Sequence, residues 1–358
     1  MMKRLLAVAT LLLLDSLCPT QAVEIYNKDG NQLNLNDTIK VSHAFSGDDN
    51  NNGDKSSNIQ GGFSGQTKIS NKLTGYGTWS YQFSLHNTEG GSDAQNGNAT
   101  RLGFAGLKYD KWGSIDYGRN FGLVYDVLGN TDMLPYFGGD SAYNDVFVAG
   151  RSSGLLTWRN KGFFGLVDGL SVAAQYEGKN DRTGSADVVT RSNGDGFAVS
   201  ASYAFDSGIS LVGAYASFDR TTAQNELSLG EGKKAQNWAT SIKYDANQIY
   251  LAAVFGQTLN ATPINGGFAN KAQNIEVVAQ YQFLNGLRPS LGYVSSKGKD
   301  IENIGNADIF KYASVGGYYY FNKNMSLFSE YRINLLKDNN TLGLSTNDIL
   351  AVGLVYQF

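Results

Sequence analysis

The sequence predicts an all-β protein: one closed antiparallel barrel of 16 strands that crosses a membrane. Three observations carry this. Apolar and polar residues alternate with period two along much of the chain, short turns alternate with long polar connections, and aromatics gather near strand ends. The composition agrees. Among 358 residues there are 43 Gly, 21 Tyr and 19 Phe but only four Pro, which suits many bent, closely spaced strands rather than a disordered chain. One cysteine excludes a disulfide framework and a Cys-based zinc site, and two histidines leave little for His-dependent catalysis. A net charge of −3 lacks the basic excess of a nucleic-acid binder.

Residues 1–22 read as a secretory signal peptide. Lys3 and Arg4 form a positive start, residues 5–14 an apolar core, and Thr20-Gln21-Ala22 a small-residue cleavage site. The core is too short to span about 30 Å of hydrocarbon. Cys18 is not read as a lipidation site, because Asp15-Ser16-Leu17 lacks the small residue expected before it. Residues 23–358 form the barrel, and the mature chain has no cysteine.

Within the barrel the alternation is explicit. Over 274–283, Ile275, Val277, Ala279, Tyr281 and Phe283 share one face, and Asn274, Glu276, Gln280 and Gln282 the other. Phe197, Val199, Tyr203 and Phe205, then Trp238, Thr240, Ile242 and Tyr244, then Val352, Leu354, Tyr356 and Phe358 repeat the pattern. Successive strand side chains point to opposite faces, so each segment is half apolar. Tight turns are expected at Asn71-Lys72, Asp206-Ser207, Asp245-Ala246-Asn247, Asn285-Gly286 and Asn322-Lys323-Asn324. Between them lie polar stretches at 46–57, 87–98, 179–195, 219–236 and 297–308. Short turns at one end and long loops at the other are the organisation of outer-membrane barrels. A soluble sandwich would also alternate. Two features argue against it: a face rich in Gly, Ser, Ala, Gln, Lys and Arg, as a wet lumen needs, and aromatics at Tyr81 and Phe83, Tyr109 and Trp112, Tyr203 and Phe205, Tyr281 and Phe283, 318–321, and Tyr356 and Phe358. Closure alone leaves no unpaired backbone in hydrocarbon.

Longer strings carry a family resemblance. They are Glu24-Ile25-Tyr26-Asn27-Lys28-Asp29-Gly30-Asn31, Leu73-Thr74-Gly75-Tyr76-Gly77, Thr100-Arg101-Leu102 with Phe104-Ala105-Gly106-Leu107-Lys108-Tyr109, and Asp116-Tyr117-Gly118-Arg119-Asn120. Further on come Thr131-Asp132-Met133-Leu134-Pro135, Phe137-Gly138-Gly139-Asp140, Phe163-Phe164-Gly165-Leu166-Val167-Asp168-Gly169-Leu170, Arg191-Ser192-Asn193-Gly194-Asp195-Gly196, Tyr320-Phe321-Asn322-Lys323-Asn324-Met325-Ser326 and Val355-Tyr356-Gln357-Phe358. Over essentially the whole mature chain the sequence resembles the trimeric general porins of enterobacterial outer membranes, of the osmoporin and phosphoporin type. The resemblance implies a passive diffusion channel for small hydrophilic solutes and ions, a homotrimer seated in outer-membrane lipid and lipopolysaccharide, and a third external loop, here 119–149, folded into the lumen.

In such porins, acids on that loop face basic residues on the opposite wall, and solutes feel both the aperture and the field between them. The resemblance assigns Asp132 and Asp140 to the loop and Arg101 and Arg151 to the wall. Tyr136 stands where a second loop acid is expected, and the uncharged Gln60 and Thr38 occupy two wall-cation positions. A weaker transverse field is expected. Alternation places Arg101 on one face with Gly103 and Ala105, opposite Leu102 and Phe104, and Arg151 with Ser153 and Thr157; both faces are taken as the lumen. Glu89 and Arg119 match a pair that links the second loop of one subunit to its neighbour. Asp37 shares the outward face of Leu35, Ile39 and Val41, a costly place for a carboxylate in lipid, and burial between subunits would resolve it.

No phosphate loop, zinc spacing or nucleophile elbow is present, and no cofactor is expected. His43 and His86 adjoin polar external stretches. Two other functions compete with the pore. A barrel lipid hydrolase would need an outward nucleophile and base, and no histidine is placed for it. A solute-specific porin, or a phage or adhesion receptor, would need an aromatic ladder in the lumen or would work through its loops.

Overall fold

In the computed structural model, residues 23–358 are described, so the expected signal peptide lies outside the described residues. A short strand β1 (Val23–Lys28) precedes 16 barrel strands: β2 (Asn31–Ser46), β3 (Asn58–Lys68), β4 (Leu73–Ser84), β5 (Ala99–Tyr109), β6 (Gly113–Phe121), β7 (Arg151–Lys161), β8 (Leu170–Glu177), β9 (Gly196–Ala204), β10 (Ile209–Asp219), β11 (Lys234–Ala246), β12 (Ile249–Ile264), β13 (Gly267–Tyr281), β14 (Leu287–Ile301), β15 (Gly305–Tyr320), β16 (Met325–Asn334) and β17 (Ile349–Gln357). Each pairs antiparallel with its chain neighbours. β17 closes on β2, Gln357 opposite Thr38 and Ile349 opposite Ser46. β1 pairs with the other part of β2, Val23 opposite Leu35, so it continues the line of β17 along one edge.

The faces follow the alternation. Leu211, Leu251, Ile275, Val277, Leu291, Val315, Leu327 and Leu354 all point outward and are exposed; a bilayer is the solvent that suits them. At the turn end, Tyr203 and Phe205, Tyr281 and Phe283, Tyr319 and Phe321, and Tyr356 and Phe358 form ring pairs 4.6–5.1 Å apart. Of the run 318–321, only Tyr319 and Phe321 belong to this girdle. Tyr318 and Tyr320 stack on each other at 5.5 Å, and Tyr318 donates to the Pro135 carbonyl on the lumen side.

The turns sit where Gly, Asn and Asp predict them. The β11–β12 hairpin has Asn247 and Gln248 both at positive φ (53° and 66°), the backbone of a type I′ turn. One expected loop, 297–308, is mostly strand: Lys297 pairs with Asp308 and Gly298 with Ala307, with a turn only at 302–304. Polarity there marks where the hairpin leaves the hydrocarbon, not where the strand ends. Outward-facing Asp37 lies opposite Gly61, and its Oδ1 accepts the Gly62 N–H at 3.2 Å.

Candidate functional site: a loop seated across the lumen

After β6 the chain turns into the barrel. Residues 122–150 begin with a short helix α1 (Tyr125–Leu128). Leu123, Val124, Val127, Leu128, Val146, Phe147 and Val148 are buried against Leu155, Ala173, Ala198, Ala214, Ala216, Ala235 and Ala239 of β7–β11, with Phe218 and Phe268 closing the cluster. Burying each Val, Leu or Phe contributes about 1.5–3 kcal/mol. The small residues of this wall therefore have a second purpose. The sequence reads them as wet lumen, but across these strands they form a dry seat that lets the loop backbone approach.

Farther along, polar clamps hold the loop. Glu276 of β13, wholly buried, accepts from the Thr131 hydroxyl at 2.5 Å and the Ser141 N–H at 3.2 Å. Glu330 of β16 accepts the Tyr136 and Phe137 N–H groups at 2.7 and 3.1 Å. Arg159 of β7 grips Asp126 through two bonds of 2.9 and 3.0 Å. Tyr250 donates to the Asn130 carbonyl, and the Tyr312 hydroxyl accepts the Gly138 N–H. Buried polar groups that find such partners specify one arrangement; left alone they would cost about 1–3 kcal/mol each.

Opposite the loop, the inner wall of β2–β5 carries a cross-strand row. Thr38 pairs with Gln60 and Gln60 with Gln82, whose Oε1 accepts from Arg101 Nη1 at 2.8 Å. Arg101 reaches the lumen for a different reason from the one alternation supplies. Gly103 and Ala105 share the outer face with the exposed Leu107 and Tyr109, while Leu102 is buried. The register slips between Ser80 and Tyr81, so that Ser80 opposes Leu102 and Tyr81 opposes Thr100. This β-bulge leaves Arg101 unpaired and turns it inward. A second bulge, with Gly154 at φ +73°, separates Arg151 from Leu155 and Thr157. The Arg151 guanidinium lies 5.4 Å from the centre of the Phe121 ring, and the Arg151 backbone N–H donates to Asn144 Oδ1.

On the loop, Asp132 accepts from the Tyr125 hydroxyl at 2.8 Å. Arg151, Arg101 and Lys40 all lie within its electrostatic reach. Burial pushes its carboxyl above the ordinary 3.8, outweighing the Tyr125 bond and these cations. A raised pKa means that charge is lost at higher pH than for a free aspartate. Acidification is therefore expected to remove this negative charge early. Reversal potentials in a KCl gradient should move toward anions at a higher pH than a free aspartate would give, and Asp132→Asn should abolish that component. Asp140 neighbours the Tyr312 hydroxyl and Arg332, away from the arginine row. Tyr136 donates to Ser56 Oγ at 2.9 Å.

Lys40 was missed in the sequence. Its ammonium sits 4.9 Å from the ring centres of both Tyr136 and Phe328 and donates to the Pro135 carbonyl at 3.3 Å. It lies two residues beyond Thr38 on the same face of β2. Alternation alone could have found it: Lys40 shares parity with Thr38 and opposes the outward Val41. Arg119 bonds Asp145 of its own chain through two contacts of 2.6 and 3.1 Å, and Glu89 is exposed in the second loop. Among the described residues, no cluster of His, Cys, Asp and Glu is arranged to hold a metal ion.

A sequence model of the Gram-negative porins matches residues 28–358. The chain belongs to the Gram-negative porin family. It is 54% identical over 350 residues to outer membrane porin F of Escherichia coli K12, covering 94% of each chain. It is 53% identical over 339 residues to outer membrane porin PhoE of Enterobacter cloacae, again covering 94% of each. Among solved structures, OmpF of Salmonella typhi in complex with daunomycin superposes with a TM-score of 0.86 at 46% identity, covering 94% of this chain and 100% of that one. This porin is thus a passive diffusion channel of the bacterial outer membrane, and its family is one of channels rather than enzymes.

Proposed function

We propose that this porin works as a homotrimer whose constriction is formed by Asp132 on the inserted loop against Arg101, Arg151 and Lys40 on the wall, with a lean toward anions. The observation that carries this is the Lys40–Tyr136 contact. An aromatic ring lies under the wall ammonium and holds it at the lumen wall beside the loop. Gln60 and Thr38 add polarity but no charge, and Asp140 acts on the far side with Arg332. The transverse field is then weaker than the resemblance alone implies, and its sign is set by the surplus cations.

Returning an acid to the loop tests the reading. Tyr136→Glu should pair with Lys40 and move the reversal potential in a KCl gradient toward cations; an unchanged potential would count against it. For the trimer, Glu89 is proposed to reach the neighbouring subunit near Arg119, and Asp37 to be covered at the subunit interface. Unheated detergent gels should show a trimer, weakened by Glu89→Ala. Export is proposed to end with cleavage after Ala22. The apolar belt meets outer-membrane lipid and lipopolysaccharide, and the external loops remain available to phage or adhesion partners.

A further inference from the structure

The returning limb of the inserted loop is strained. Asp145, Phe147 and Val148 have φ of 57°, 43° and 55°, left-handed backbone that is uncommon outside glycine and suits a β-branched or bulky side chain least. Such a turn persists only where its surroundings impose it. It also carries Arg151. The Asp145 N–H donates to the Arg151 carbonyl at 2.7 Å and the Gly122 N–H to the Gly150 carbonyl at 2.8 Å, so residues 145–151 form a closed turn. An aromatic clamp holds its middle. The Phe147 ring lies 5.7 Å, centre to centre, from both Phe218 of β10 and Phe268 of β13, and all three rings are buried.

An external segment backs this clamp. Arg220, only 5% exposed, lies 5.2 Å from the centre of the Phe268 ring. Its guanidinium donates to the Gly230, Gly232 and Gln224 carbonyls at 2.7, 2.9 and 2.6 Å, which folds residues 220–233 onto the barrel. Gly230, at φ +89°, lets that backbone lie against Phe268; a Cβ there would stand 2.9 Å from the Phe268 Cβ. The Phe268 N–H donates to the Leu229 carbonyl at 3.2 Å. Wholly buried Gln224 ties the segment to the Val189 and Ser192 carbonyls of the external loop before it, and Glu302 accepts the Gly230 N–H at 3.1 Å. We propose that segment 220–233 is a positioning element of the constriction: Arg220 backs Phe268, Phe268 holds Phe147, and Phe147 keeps the strained turn that sets where Arg151 stands. The proposal rests on the constriction reading and adds to it residues that lie outside both the inserted loop and the arginine row.

Two variants that leave the net charge unchanged test this in the full-length porin in planar bilayers. Phe268→Leu removes the ring between Arg220 and Phe147. Arg220→Lys keeps the charge but loses the planar fork that reaches three carbonyls. Each should lower the ratio of anion to cation permeability about 1.5- to threefold, a part of what one unit charge does at this range. The readout is the reversal potential in a KCl gradient, and closures should become more frequent. In an Arg151→Gln background the same two changes should leave the reversal potential where Arg151→Gln alone puts it, because coupled sites do not add. Trimer content in unheated detergent gels is followed alongside, and where one variant yields no trimer the other decides. Unmoved reversal potentials in conducting variants would overturn the proposal. So would a shift that persists in the Arg151→Gln background, since the segment would then act on ions by itself. A reversal potential that Arg151→Gln itself leaves in place would instead overturn the constriction reading.

Discussion

Arg151→Glu is expected to turn the channel toward cations. The substitution exchanges one charge for its opposite beside Asp132 and Arg101, a change of two units at the place where the loop meets the wall. At about 6 Å in water, one unit charge acts on a passing ion with roughly 0.7 kcal/mol, and salt at 0.1 M screens this over about 10 Å. Two units then change the permeability of each ion by about fourfold to tenfold, upward for cations and downward for anions. Arg101→Glu should act in the same direction but less cleanly, because Arg101 also fastens Gln82 in the cross-strand row. The check is the reversal potential across a KCl gradient, measured for both variants. If neither moves, the arginines are solvated ornaments of the lumen and the selectivity argument fails.

The second large effect is structural. Glu276→Leu should loosen the inserted loop, because one buried carboxylate binds it at two points, Thr131 and Ser141. Removing it strands a hydroxyl and an N–H, at about 1–3 kcal/mol each. The apolar seat around Leu123, Val127 and Phe147 should still hold the near part of the loop, so the barrel survives while the tip moves. Single-channel recording should show higher conductance with more frequent closures, and Glu276→Gln should restore part of the quiet state. A Leu variant with unaltered conductance would mean that Glu330 and Tyr312 suffice as clamps.

Much of this molecule is legible from its residues. Period-two alternation reveals the strands because each strand divides lipid from lumen. Asn-Gly and Asn-Lys-Asn reveal the turns because only a few residue types take those backbone angles. Three things were hidden. Arg101 faces inward through a slipped register, and a bulge has no period to detect. The alanines of β8–β11 read as wet lumen because smallness serves a water-lined wall and a packed loop equally well. The 297–308 hairpin read as loop because polarity, used as a marker of connections, also marks strands that stand in water. Lys40 is legible from alternation, because it stands two residues from Thr38 on the same face of β2. The site was harder than the fold for one reason: it is made by a long loop meeting the opposite wall, and such pairings leave no local trace.

The seam between β2 and β17 bears on how the chain reaches this state. Ser46 donates to the Asp348 carbonyl across 302 residues of sequence, so the contact that shuts the cylinder joins the first barrel strand to the last one made. Until that final strand docks, two open borders of unsatisfied amides face whatever surrounds them, an invitation to wrong partners. Assembly dominated by such distant pairing is slow. Shortening the C-terminal end by a few residues should therefore slow maturation far more than trimming any external loop of equal length.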